Sequence, residues 1–259
     1  VTGTQSNFET SGGFGPNQVS TILGLGIFIF FVQLMLNSSN GILQIINGGL
    51  VLFFAYRGLI TFSRGGIYTG VAMILLLLAI LYFQANFQTK PKIAGIILLS
   101  FLATLAVWSY SSIKTNGLLD KRYANQDAAG REKKSQLSGR EILIESELKM
   151  FYENPILGVG VGKNKELRKS QTGIDLATHN EITRMLAEHG TLGIVGLLIL
   201  VITPLYLFAV DRQNILALSF FVFWLLTINH AAMRLSAPAF IYALSLLKVY
   251  REAPAVHRK

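Results

Sequence analysis

Seven apolar runs, at residues 18–36, 42–56, 67–83, 93–110, 192–210, 214–231 and 235–250, constrain this chain more than any other feature. A backbone entering hydrocarbon must satisfy its own N–H and C=O groups, and a helix does this within one segment. Crossing takes about 20 residues of helix. No run shows the period-two alternation of a transmembrane barrel. The fold class expected is an all-α integral membrane protein, a multi-span helical bundle. Apolar residues make up 51% of the chain and charged ones only 14%, against about 25% charged in soluble domains. The second, sixth and seventh runs are short, so they must tilt, extend or re-enter.

One polar stretch of different character, 111–191, interrupts the series. The expected organisation is an outward loop at 1–17, about four transmembrane helices in 18–110, a large, mostly helical extracytoplasmic loop at 111–191, about three helices in 192–250, and a cytoplasmic tail at 251–259. Short-loop charge sets the orientation. With 111–191 outside, Lys90, Lys92, Arg212, Lys248, Arg251, Arg258 and Lys259 fall inside, against Arg57, Arg64 and Arg234 outside. The polar stretch holds thirteen Lys and Arg against eleven Asp and Glu. Most of the chain's +9 is therefore topological, and a nucleic-acid partner is not indicated. The absence of cysteine excludes disulfides and thiolate metal sites. The opening "VTGTQSNFETSGGFGPNQVS" lacks a basic n-region followed by an apolar core, so it reads as an internal loop of a longer protein.

Within the polar stretch, "SGREILIESELKMFYENP" places Ser138 three residues before Glu141, a capping-box spacing, and Pro155 ends the helix. Arg140 falls in its first turn. There it either pairs with Glu141 or Glu145, or answers an anion, since a bare cation opposes the helix dipole. The "ESE" at 145–147 reads as a solvated face. "NPILGVGVGKN" fails as a phosphate loop, because Leu157 stands where Gly is needed and Asn164 where Ser or Thr is needed. Its glycines read as a tight turn. In "LATHNEITRMLAEHGTLGIVG", Thr178 and Glu181 repeat the capping spacing and predict His179 as the first helical residue, where the dipole keeps an imidazole neutral. His179 is then either a hydrogen-bonding group at a helix entrance or a general base, with Asn180 and Glu181 as supporting groups. Glu188 and His189 precede a break expected at Gly190. Arg64, in "LITFSRGGIYTG", lies in a short outward loop before two glycines that admit another group. Its guanidinium suits a bidentate grip on a lipid phosphate. Arg57 is weighted lower, as a residue that snorkels.

The ordered set "GGFGPNQVST", "LITFSRGG", "SGREIL", "ENPILGVGVG" and "HNEITRMLAEHGTLGIVGLL" resembles the O-antigen ligase and polysaccharide polymerase family over nearly the whole chain. Members carry more spans than seven, so the resemblance points to a C-terminal part. It implies a metal-independent, inverting glycosyltransferase of the bacterial inner membrane, with its site on the periplasmic side and no cofactor. The implied partners are membrane lipids, a polyprenyl-diphosphate-linked glycan donor, and a glycan, lipid A core or protein acceptor. It implies His179 as catalytic residue and Arg64, Arg140 and Arg122 as diphosphate ligands. Two other classes stay open. A polytopic transporter would put ionisable groups along the middle of several spans, whereas here they collect at one mouth. A non-catalytic scaffold of an envelope-polysaccharide complex would tolerate loss of either His179 or Arg64.

Overall fold

The computed structural model describes residues 3–133, 141–230 and 235–249. Among these there are ten α-helices and no β-strand: α1 (Pro16–Val32), α2 (Gly41–Ile60), α3 (Arg64–Gln84), α4 (Lys90–Lys114), α5 (Leu118–Tyr123), α6 (Glu141–Glu153), α7 (Lys163–Thr172), α8 (Glu181–Val210), α9 (Ala217–Thr227) and α10 (Ser236–Ser245). Five helical segments are long and apolar enough to cross a membrane. The molecule is an all-α helical membrane bundle. α1 runs on through a π-helical turn, Gln33–Asn37. The second span, short in the sequence pattern, has 20 residues because "RGLI" continues it. α9 and α10 have 11 and 10 residues, only about 16 Å of helix each.

α1 and α3 form the centre. They cross where their backbones nearly touch: a Cβ built on Gly66 would stand 2.1 Å from the Ser20 carbonyl group, and one on Gly24 would stand 2.0 Å from the Gly66 oxygen. Small residues permit such an approach in membrane bundles. α9 packs along α3. Ser219 donates to the Met73 carbonyl at 3.0 Å, and Phe223 joins Leu25, Phe28, Met73, Leu77 and Ile241 in a buried cluster. The last two segments cross this core despite their short helices. His230, beyond α9, lies against Gly65 at one end of α3, while Asn214 at the other end donates to the Leu247 carbonyl at 3.0 Å. α4 is peripheral: 6% of its apolar window is buried, against 39% in α1 and α3. Outward-facing Leu98, Leu99 and Phe101 suit hydrocarbon.

α8 contains Pro204, whose missing N–H leaves the Leu200 carbonyl without its helical donor. The Tyr242 hydroxyl of α10 fills that role at 2.9 Å. A second discontinuity, at Gly190 (φ 59°, ψ −136°), divides α8 where the sequence expects a break. The span begins there, and the polar turns before it, Glu181 to His189, are a separate helical segment joined to it across this one residue.

Candidate functional site

The polar residues gather at one end of the bundle. The corner between α2 and α3 is fixed first. Phe62 adopts φ 57°, costly for a bulky side chain, and is wholly buried. Neighbours hold it. Ser63 N–H donates to Thr61 Oγ1 at 3.2 Å, Ser20 of α1 donates to the Ser63 carbonyl at 2.7 Å, and Ser63 Oγ donates to Asn17 Oδ1 at 2.7 Å. This makes Arg64 the first residue of α3, rather than the loop residue expected. The residue is half-buried at the positive end of that helix, where an anion is favoured.

Arg122 of α5 is buried, and its Nε donates to the Phe62 carbonyl at 2.8 Å. That contact joins α5 to the corner carrying Arg64. Lys133, which the sequence reading passes over, completes a basic cluster. Burial, followed by the charges of Arg122 and Arg64, holds its ammonium below the ordinary lysine range, with Asp127 opposing. Its Nζ donates to the Thr4 carbonyl at 3.2 Å. Tyr123 lies in the same field. Burial raises its phenol strongly and Tyr68 adds to the rise, while Arg64 and Arg122 oppose it. Arg57, by contrast, donates to the Thr10 carbonyl at 3.1 Å and braces the N-terminal loop.

His179 approaches from α8. It is not the first helical residue. Asn180 is the cap: its Oδ1 accepts from Ile182 N–H at 2.9 Å and Thr183 N–H at 3.3 Å. Thr178 instead hydrogen-bonds the Asn180 backbone. A short Asn side chain next to the first turn outcompetes a Thr two residues earlier. His179 therefore precedes the cap, half-buried, and stands further from the helix dipole than the sequence pattern implies. Glu181 is the first helical residue; its carboxylate pairs with Arg184 at 2.6 Å, and its N–H donates to the Ile228 carbonyl at 2.9 Å. This last bond links the two halves of the site. Two residues beyond Ile228, the His230 ring lies so close to Gly65 that a Cβ there would meet it at 2.6 Å. Arg64 immediately precedes that glycine. His230 Nε2 also faces Thr21 Oγ1 at 3.1 Å.

The glycine loop after α6 forms the mount of the polar lobe. Gly158, Gly160 and Gly162 all have positive φ, as a tight turn requires. Val159 N–H donates to the Ala187 carbonyl at 2.8 Å, Gly160 N–H to the Glu188 carbonyl at 3.1 Å, and Thr191 N–H to the Pro155 carbonyl at 2.8 Å. The break at Gly190 exposes these groups and the loop uses them. Glu188 Oε1 accepts from Gly162 N–H at 3.1 Å.

One expectation is reversed. Glu147 is not on a solvated face but fully buried, paired with a fully buried Arg168 of α7 at 3.1 Å. Leu143 and Met150, also buried, lie one turn either side of it. Arg140 and Ser138 lie outside the described residues. Among the described residues no group of three His, Asp or Glu that could hold a metal occurs.

With this geometry in place, a family model described as O-antigen ligase matches residues 49–201, well over half of the chain. The chain belongs to the O-antigen ligase family. The matched segment holds Arg64, Arg122, Arg140 and His179. No curated protein and no solved structure matches. Membership makes this an O-antigen ligase or polymerase type of membrane protein, in bacterial surface-polysaccharide assembly.

Proposed function

We propose that this O-antigen ligase family member is a metal-independent, inverting glycosyltransferase. It moves a glycan from a polyprenyl-diphosphate carrier to an acceptor hydroxyl on the periplasmic side of the inner membrane. One imidazole nitrogen of His179 takes the acceptor proton. The freed oxygen attacks the anomeric carbon, the bond from that carbon to the diphosphate oxygen breaks, and its electron pair leaves with the lipid diphosphate. Arg64, Arg122 and Arg140, with Lys133 beside the first two, carry the charge that develops on the diphosphate; Asn180 and Glu181 fix the entry of α8. Fixed cations and an oriented base act without reorganising, which is where most of such a barrier is removed.

The observation that carries this reading is the bond from Glu181 N–H to the Ile228 carbonyl. It ties the start of α8, two residues after His179, to the turn whose His230 lies on Gly65, next to Arg64. That His179 and the basic cluster of Arg64 and Arg122 lie on elements joined in this way supports the assignment of base and diphosphate ligands. The acceptor is a glycan, lipid A core or protein. The test incubates membrane-embedded protein with polyprenyl-diphosphate glycan and each acceptor in turn. His179→Ala should abolish transfer with donor still bound, and full activity in that variant would refute the base assignment.

A further inference from the structure

We infer that Glu147 and Arg168 are positioning residues for His179, a role that rests on His179 acting as the base. Both side chains are wholly buried, and between them they bond to both sides of the segment that carries the histidine. Arg168 NH1 donates to Glu147 Oε1 at 3.1 Å, while its NH2 donates to the Leu176 carbonyl, three residues before His179. Glu147 Oε2 accepts from Thr183 Oγ1 at 2.6 Å, in the first turn of α8 and four residues after His179. Asn164 Nδ2 donates to Glu147 Oε1 at 3.2 Å, so α7 is held by two residues on one face. The histidine thus sits on a short strap fastened at both ends to one ion pair. A guanidinium can grip a carboxylate and a carbonyl together through separate nitrogens in one plane, whereas an ammonium cannot reproduce that fork. The bonds described for the pair's side chains go to each other, to Asn164 and to the two ends of this strap, so its charges serve orientation.

Three variants test this in the full chain reconstituted in lipid: Arg168→Lys, Glu147→Gln and Thr183→Val. Thr183→Val leaves the ion pair intact and keeps the side-chain shape, so it reports even where loss of a buried charge impairs folding. Two readouts are taken on folded protein: kcat and KM for polyprenyl-diphosphate glycan, and the rate at which diethyl pyrocarbonate modifies His179, followed by peptide mass spectrometry. The expected result is a kcat loss of about tenfold for Thr183→Val and on the order of 10²-fold for Arg168→Lys, with donor KM little changed and His179 modified several-fold faster. Unchanged His179 reactivity overturns the inference, whatever happens to kcat. Faster modification with unchanged transfer supports the strap and overturns His179 as the base.

Discussion

At the scale of single residues, charge burial yields the sharpest expectations. Arg168→Met strands the wholly buried Glu147 carboxylate without its counter-charge, and loss of one partner of a buried pair costs about 3–5 kcal/mol. Thermal unfolding in detergent should register it as a large fall in Tm, and Glu147→Met added to Arg168→Met should recover most of the loss. Lys133 gives a pH dependence. Its folded pKa is depressed, so its charge is lost at lower pH than that of an exposed lysine. Affinity for polyprenyl diphosphate, measured by calorimetry, should weaken as pH rises through that value, and Lys133→Gln should flatten the alkaline limb. A bound diphosphate raises that pKa by attracting the ammonium directly and by offsetting the neighbouring guanidinium charges, so binding at alkaline pH should take up protons. Arg64 and His179 were legible in the sequence as polar groups beside apolar runs, and His230 carried the same signal from inside one. Glu147 and Arg168 were not, because charged neighbours in "ESELK" and "KELRK" disguise a buried face as a wet one. The spacing of Glu147 from Leu143 and Met150 was the one available clue.

At the scale of elements, the sequence locates helices better than it ends them. Apolar runs marked each of the five helical segments long enough to cross a membrane, but "RGLI" and "SSIK" extend α2 and α4, since helix propagation costs little once a turn exists. The start of α8 moved by two residues because Asn180 and Thr178 are both competent caps, and the winner depends on the chain's approach from Leu176. Pro204 offers an element-scale test. Tyr242→Phe removes the donor to the Leu200 carbonyl, and an unsatisfied buried acceptor costs about 1–3 kcal/mol. Pro204→Ala restores an N–H in register with that carbonyl. The Tyr242→Phe cost should therefore shrink in the Pro204→Ala background, a coupling read from a double-mutant cycle of unfolding midpoints.

At the scale of the whole molecule, fold class followed from hydropathy alone, while the meeting of the N-terminal loop, α3, α5, α8 and His230 at one mouth is tertiary information that no local pattern encodes. The chain has no cysteine, so single-cysteine variants report topology without background. Ser170→Cys should react with a membrane-impermeant maleimide from the periplasmic side of intact cells, and Arg212→Cys only after lysis; the opposite pattern would invert the proposed orientation. The mount between the glycine loop and the break in α8 has a consequence for divergence. Its bonds run largely between main-chain atoms, so they constrain glycine positions and leave neighbouring side chains unspecified. Ile156, Leu157 and Val161 point outward from that mount. Evolution, or a randomised library, can rewrite those three while the lobe keeps its seat on the bundle.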